Sequence, residues 1–308
     1  MNVKFEAYKG NIFQYIAYLL LRSICGMINC LPYSVARKTA CFTGSLLYYL
    51  LSCRRRIALE NLRHALSDTY TEKQLRSIAV KSFGNLGLLF IEFIRIPQMV
   101  RRGFFKYVTI DRKEIVWQEL DKKKGVILLI SHYGNWELMA VMAGIIGYPI
   151  SAVGRPMKNQ YIYRYIERIR GYSGLKALQK KGVAKEVIAE LRANRVVAIL
   201  FDQYAGSSGV AVPFFGRPAY TTTAVAQFAI RTGAQVIAAF NTRQPDGTHK
   251  IYVEDPITIA TDCDRADAVR IATQRYNELL ESWIRKHPDH WFWFHRRWKT
   301  PRKYQRDA

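Results

Sequence analysis

The sequence predicts an α/β protein: a mixed, largely parallel sheet flanked by helices, with an N-terminal helical region suited to a membrane surface. Two observations predict it. From about residue 104, short apolar runs alternate with amphipathic helical stretches, the rhythm of an α/β layer. Before that point the chain reads as helix throughout, and it carries one long apolar stretch, Ile12 to Leu31, with Arg22 as its single charge. The expected division is therefore residues 1–100 as a membrane-associating helical region and 101–308 as the α/β domain.

Ile12–Leu31, as a helix rising about 1.5 Å per residue, just matches a hydrocarbon core of roughly 30 Å. Gln14, Arg22 and Asn29 fall on one stripe of that helix, which favours an interfacial helix or one docked on protein. Lys4 and Lys9 precede it, and Arg37, Lys38 and Arg54–Arg56 follow, which leaves the rest of the chain on the cytoplasmic side. A second apolar run, Thr39 to Cys53, is too short to span. Thr71-x-x-Gln74 fits a capping box that opens a long helix, expected to run through Ile94 and stop before Pro97.

The strand candidates are Gly125–Ile130, Ile150–Val153, Val196–Phe201 and Ala234–Phe240, with Ile251–Val253 weaker. Helical patterns occupy Trp136–Ile146, Asn159–Arg170, Ala184–Ala193 and Thr222–Arg231, and a last helix runs from about Arg265 to Lys286, ended by Pro288.

Lys and Arg number 47 against 24 Asp and Glu, a net charge of +23 that selects polyanionic partners. The five cysteines form no C-x-x-C pair and their number is odd, so neither a disulfide framework nor a zinc site is indicated, and the protein reads as reduced. P-loop, G-x-G-x-x-G and G-x-S-x-G patterns are absent, which weakens the case for nucleotide and serine-hydrolase chemistries. His287, His290 and His295 with Asp289 do not make a spaced metal-ligand set, and no cofactor is expected.

The most informative segment runs from Gly125 to Glu137, GVILLISHYGNWE. Its apolar run reads as a buried strand, and in such sheets ligands bind beyond the carboxyl ends of strands, where His132 sits. Gly134 permits a tight turn, and Asn135 is a good N-cap that places Glu137 in the first turn of the next helix. A turn there lets the Glu137 carboxylate reach the imidazole, a pairing suited to general-base catalysis on a hydroxyl. Ser131 points to the opposite face and is a poor nucleophile for that base, so direct transfer in a ternary complex fits better than a covalent intermediate.

The segment His132-Tyr-Gly-Asn-Trp-Glu137 resembles the His-x4-Asp/Glu motif of the lysophospholipid acyltransferase superfamily, in the form carried by the bacterial late acyltransferases of lipid A biosynthesis. Further matches follow in the same order: Gly154-Arg155-Pro156 with Asn159, the pair Arg168 and Arg170, Asp202-Gln203, the stretch Val212 to Thr223, and His287 to Lys299. The resemblance covers nearly the whole chain. It implies transfer of an acyl chain from acyl carrier protein, or occasionally acyl-CoA, to a hydroxyl of a phosphorylated glycolipid at the cytoplasmic face of the inner membrane. It also implies that His132 and Glu137 are catalytic. Asn135, Arg155, Arg168, Arg170, Asp202 and Gln203 become candidates for substrate binding, the arginines as planar forks for phosphate. Tyr204 and Asp289-His290 depart from the family's usual residues.

The tail from Trp291 to Arg306 interleaves aromatic rings with cations, which suits an anionic membrane interface. It would also suit single-stranded nucleic acid, but the apolar N-terminus has no place in such a binder. Two further readings of the chain are an acyltransferase of the same superfamily acting on another membrane lipid, and a non-catalytic basic membrane adaptor.

Overall fold

The computed structural model describes residues 11–154, 157–178, 182–260 and 262–300. Four helices come first: α1 (Ile12–Cys30), α2 (Tyr33–Leu50), α3 (Ser52–Leu66) and α4 (Glu72–Arg101). Then come β1 (Val108–Asp111), α5 (Glu114–Asp121), β2 (Val126–Ile130), α6 (Trp136–Ile145), β3 (Ile150–Val153), α7 (Gln160–Arg170), β4 (Lys176–Leu178), α8 (Val183–Arg192) and β5 (Val196–Leu200). A hairpin of β6 (Val210–Phe214) and β7 (Arg217–Thr221) precedes α9 (Ala224–Thr232), β8 (Gln235–Arg243), β9 (His249–Ile257) and α10 (Arg265–Lys286).

Seven strands form one sheet in the order β1-β9-β8-β2-β5-β3-β4, and every pairing is parallel except β8 with β9. The fold class is therefore the expected α/β with a mixed, largely parallel sheet. All five residues of β2 are buried, as an unbroken apolar strand covered on both faces requires. One face is covered by α3, the first half of α4, α8, α9 and α10, through Leu62, Phe83, Leu191, Val225 and Leu280. The other is covered by α5, α6 and the last turns of α4, through Val116, Leu138, Ile96 and Met99.

Helix α4 thus belongs to both cores. It starts as the capping box predicts, with the Thr71 amide donating to Gln74 Oε1 at 2.8 Å. It does not stop before Pro97 but continues to Arg101. A proline inside a helix costs about 3 kcal/mol. Here tertiary bonds hold the final turn: Ile96 and Met99 are buried, and Gln98 Nε2 donates to the Asn29 carbonyl at 3.0 Å.

Helix α2 lies on α4 through a seam of small residues, with Ala36, Ala40 and Gly44 buried. A Cβ at Gly87 would collide with the Ala40 carbonyl, and one at Gly44 with the Phe83 carbonyl. Gly87→Ala tests this seam, because on an exposed helix it would stabilise by about 0.5–1 kcal/mol. Here it should instead lower the urea midpoint of the full chain in detergent, by an overpacking penalty of about 1–3 kcal/mol. A raised midpoint would show that the backbones do not approach as described.

Candidate active site

The pairing of β2 with β5 builds the site. The two strands are parallel and in register, with Ile130 opposite Leu200. Two residues further along each strand, the chains leave the sheet side by side as His132 and Asp202. The His132 amide donates to Asp202 Oδ2 at 3.0 Å, and His132 Nδ1 lies 2.8 Å from Oδ1. Trp291 Nε1 also donates to Oδ2, at 2.8 Å.

Asp202 is fully buried. Burial alone would raise its pKa, but the facing imidazole of His132 and the Trp291 donor more than offset that and hold the carboxyl well below its ordinary range. A carboxylate only accepts, so Nδ1 carries the hydrogen of that bond, and in the neutral ring Nε2 is the basic nitrogen. Nε2 faces Gln203, whose Nε2 is 3.3 Å away on the exposed side. The ring leans edge-on against Trp136, with centroids 4.9 Å apart.

Glu137 occupies a different place from the one expected. Among the described residues, no hydrogen bond or ion pair joins it to His132. Its carboxylate accepts from Arg170 Nε at 3.0 Å and from Arg170 Nη2 at 2.6 Å. This bidentate fork is a stronger partner than a single imidazole bond, and Asp202 already fills the Nδ1 side of the ring. Arg170 is therefore held by Glu137 rather than left open as a phosphate fork. Arg168 is exposed on α7, and Arg155 lies outside the described residues.

The turn between His132 and α6 is built by long-range bonds. Gly134 has φ +60°, and a Cβ there would strike the Asn241 carbonyl. The Asn135 amide donates to Asn241 Oδ1 at 3.1 Å, and Asn135 Oδ1 caps α6 by accepting from the Leu138 amide at 3.1 Å. Asn135 Nδ2 donates to Glu92 Oε2 at 2.7 Å. Asn135 is thus buried with its amide already engaged, and it positions the turn instead of facing a substrate. Asp202 and Asn135 both belong to the scaffold behind His132.

Glu92 sits on α4 where that helix crosses the carboxyl edge of the sheet. It is fully buried, and Arg243 grips it through Nε at 3.0 Å and Nη2 at 2.8 Å. Burial would raise its pKa, but Arg243 and then His249, whose Nε2 is 3.2 Å away, more than offset that and depress it. Arg243 also donates to Asn85 Oδ1 at 2.6 Å, and Asn85 Nδ2 donates to the Asp289 carbonyl at 2.9 Å. Sequence reasoning missed Glu92 and Arg243. The available signal was one carboxylate inside the apolar run Phe90-Ile-Glu92-Phe-Ile, which needs a buried cation.

The tail also differs from its expected role. Trp291, Trp293, Phe294 and Arg297 are buried in the protein rather than spread on a membrane. Arg297 Nη2 donates to Thr221 Oγ1 at 2.6 Å and to Asn277 Oδ1 at 3.1 Å. Arg302, Lys303 and Arg306 lie outside the described residues.

Beside this site lies a largely apolar cavity of about 170 Å³. Leu21 and Cys25 of α1, Phe90 and Phe93 of α4, and Ile166 and Ile169 of α7 form its walls, and the Glu137–Arg170 pair forms its polar end. Leu89 lines both this cavity and the recess that holds His132. The arrangement offers a base, an adjacent apolar slot and a charged fork between them.

Residues 7–300 match the family described as bacterial lipid A biosynthesis acyltransferase. The chain is 27% identical over 272 residues to the lipid A biosynthesis lauroyltransferase of Escherichia coli (strain K12), covering 88% of this chain and 87% of that protein. It is 26% identical over 293 residues to the lipid A biosynthesis acyltransferase of Haemophilus influenzae, covering 93% and 91%. It is also 26% identical over 212 residues to the phosphatidylinositol mannoside acyltransferase of Mycolicibacterium smegmatis, covering 67% of each.

Asp202 and Glu92, two fully buried carboxyls with depressed pKa, predict how stability depends on pH. Their folded pKa values lie well below the unfolded values of about 4, so their contribution is complete above the unfolded value, begins to fall there, and is lost only as pH falls on through the folded value. Denaturant midpoints measured from pH 7 to pH 3 should fall steeply at the acid end for the parent protein. Glu92→Gln should lower the midpoint at neutral pH, because it leaves Arg243 buried without its counter-charge, and should flatten the acid limb. Equal acid limbs in both proteins would remove Glu92 from the account.

Proposed function

The chain belongs to the bacterial lipid A biosynthesis acyltransferase family, and from that membership we propose that it transfers a fatty acyl group from a thioester donor to a hydroxyl of a lipid A-type glycolipid. The observation that carries this reading is the His132–Asp202 pair at the carboxyl end of the sheet, with Nε2 turned away from Asp202 toward Gln203 on the exposed side, beside an apolar cavity.

His132 Nε2 takes the proton of the acceptor hydroxyl as its oxygen attacks the thioester carbonyl. Asp202 fixes the tautomer and stabilises the imidazolium. As the tetrahedral intermediate collapses, the C–S bond breaks and the imidazolium returns the proton to the departing thiolate. The products are an ester and a thiol, with no acyl-enzyme. The donor chain occupies the apolar cavity, and the Glu137–Arg170 fork orients the polar atoms at its mouth. Glu137 then assists His132 by placing the reacting ester, not by contacting the ring.

Acyl carrier protein is the proposed donor: it is acidic, and a net charge of +23 steers an acidic protein to this surface. The proposed location is the inner membrane, with the catalytic face toward the cytoplasm. A second reading, with another glycolipid as acceptor, is favoured by the similarity to a protein named phosphatidylinositol mannoside acyltransferase. Purified protein given acyl-loaded carrier and either acceptor decides between them. The expected result is a mass gain of one acyl chain on the lipid A precursor alone.

Double-mutant kinetics test the mechanism. His132→Ala and Asp202→Asn should each lower kcat by about 10²–10⁴-fold, and the double variant should be little worse than His132→Ala. Glu137→Gln should lower kcat/KM whether or not Asp202 is altered, multiplying rather than saturating. Saturation of Glu137→Gln against His132→Ala, with an active Asp202→Asn, would return the imidazole partnership to Glu137.

A further inference from the structure

We propose that α1 does not cross the bilayer but lies along its surface together with α2, so that the two helices form one in-plane apolar platform on an anionic membrane. This goes beyond the acyl-transfer reading and does not depend on it.

By length and composition α1 could span: it has 19 residues, and Cys25 alone among them is fully buried. Its backbone and inner face, however, are docked from end to end. Near the start, Asn159 Nδ2 donates to the Gln14 carbonyl at 2.8 Å. One turn on, the Tyr15 ring packs on Tyr161 at 5.2 Å and Tyr18 on Tyr165 at 6.2 Å. Cys25 is buried, and at the far end Arg95 donates to the carbonyls of Ile28 at 2.8 Å and Leu31 at 3.0 Å. From Gln14 to Ile28 is about 21 Å of helix at 1.5 Å per residue. A helix fixed along that length cannot enter hydrocarbon alone. It would take with it α7, whose Arg164 and Arg168 are exposed, together with Arg95. Charged groups in the bilayer core are strongly disfavoured.

The outer face of α1 is the complement. Phe13, Leu20 and Met27 are 75%, 62% and 63% exposed, and their seven-residue spacing places them on one stripe that runs the length of the helix. Helix α2 repeats the pattern. Its small residues face α4, and its large ones face out, with Phe42 69% and Tyr49 62% exposed at the same spacing. Two joined helices that each bury a polar or small-residue face on protein and expose a continuous apolar stripe match an interfacial pair. Exposed Arg22, Lys38, Arg54 and Arg56 on α1, α2 and the start of α3 supply the cations that an anionic headgroup layer attracts. The inner face of α1, through Leu21 and Cys25, lines the apolar cavity, so one helix separates bilayer from cavity.

Fluorescence quenching by depth tests the proposal on the full chain with its five native cysteines changed to serine. Single probes are attached at Phe13→Cys, Leu20→Cys, Met27→Cys and Phe42→Cys, all outward positions, with folding checked by near-ultraviolet dichroism. Vesicles contain phosphatidylglycerol and lipids spin-labelled either near the headgroup or near the chain end. The in-plane arrangement predicts stronger quenching by the shallow label at all four sites. Deep quenching at Leu20→Cys with shallow quenching at Phe13→Cys and Met27→Cys would place α1 across the bilayer and overturn it. An unquenched Phe42→Cys would overturn the shared platform. An N-terminal epitope on the otherwise native chain provides a second reading in spheroplasts. Protease should remove it only after lysis, and removal from intact spheroplasts would contradict the in-plane helix.

Discussion

The register between β2 and β5 is the constraint on which the rest of this structure depends. Because Ile130 lies opposite Leu200, the two chains leave the sheet in step, and His132 meets Asp202 without any help from local sequence. A slip of one residue in either strand would turn its side chain to the opposite face of the sheet, away from its partner. The strands themselves resist slipping: β2 is buried at every position, and its other edge is pinned by β8. An ordinary property of parallel sheets thereby aligns the two side chains.

Helix α4 secures that alignment from outside the sheet. By running from one core to the other across the carboxyl edge, it brings a carboxylate, Glu92, into a fully dry position behind the Gly134 turn. A buried charge is tolerable only when paired, and Arg243 with the Asn135 amide supplies the pairing. The network therefore fixes where α6 begins, which sets Glu137 against Arg170 and leaves the imidazole to Asp202. Two buried carboxylates divide the labour: Glu92 holds the turn, and Asp202 holds the ring. The cavity beside them takes its walls from α1, α4 and α7, which links the apolar N-terminal helix to the His132 site.

Much of this was legible in the residues. The run from Gly125 to Glu137 announced a buried strand, a tight turn and a capped helix, and Asp202 stood at the end of a strand as expected. What could not be read was which carboxylate meets His132. A spacing of five residues suggests a local pair, whereas the observed pair spans 70 residues and depends on strand order, which sequence periodicity does not encode. The same limit applies to the Arg170–Glu137 pair, 33 residues apart, and to Glu92, whose partner Arg243 lies 151 residues away. Pro97 and the aromatic tail misled for another reason. Local rules end a helix at proline and put tryptophans beside cations on a membrane, but tertiary packing overrode both, with Met99, Trp291 and Trp293 all buried. The β6–β7 hairpin was overlooked because Pro213 and Pro218 interrupt its pattern.

The central claim is that Asp202, not Glu137, holds the Nδ1 proton of His132. Nitrogen-15 NMR of histidine-labelled protein, with His132 assigned by its disappearance in His132→Gln, tests it most directly. The account predicts a proton on Nδ1, with a low-field hydrogen-bonded resonance that is lost in Asp202→Asn and retained in Glu137→Gln. A ring protonated at Nε2 only, or a low-field proton that survives Asp202→Asn and vanishes in Glu137→Gln, would contradict it.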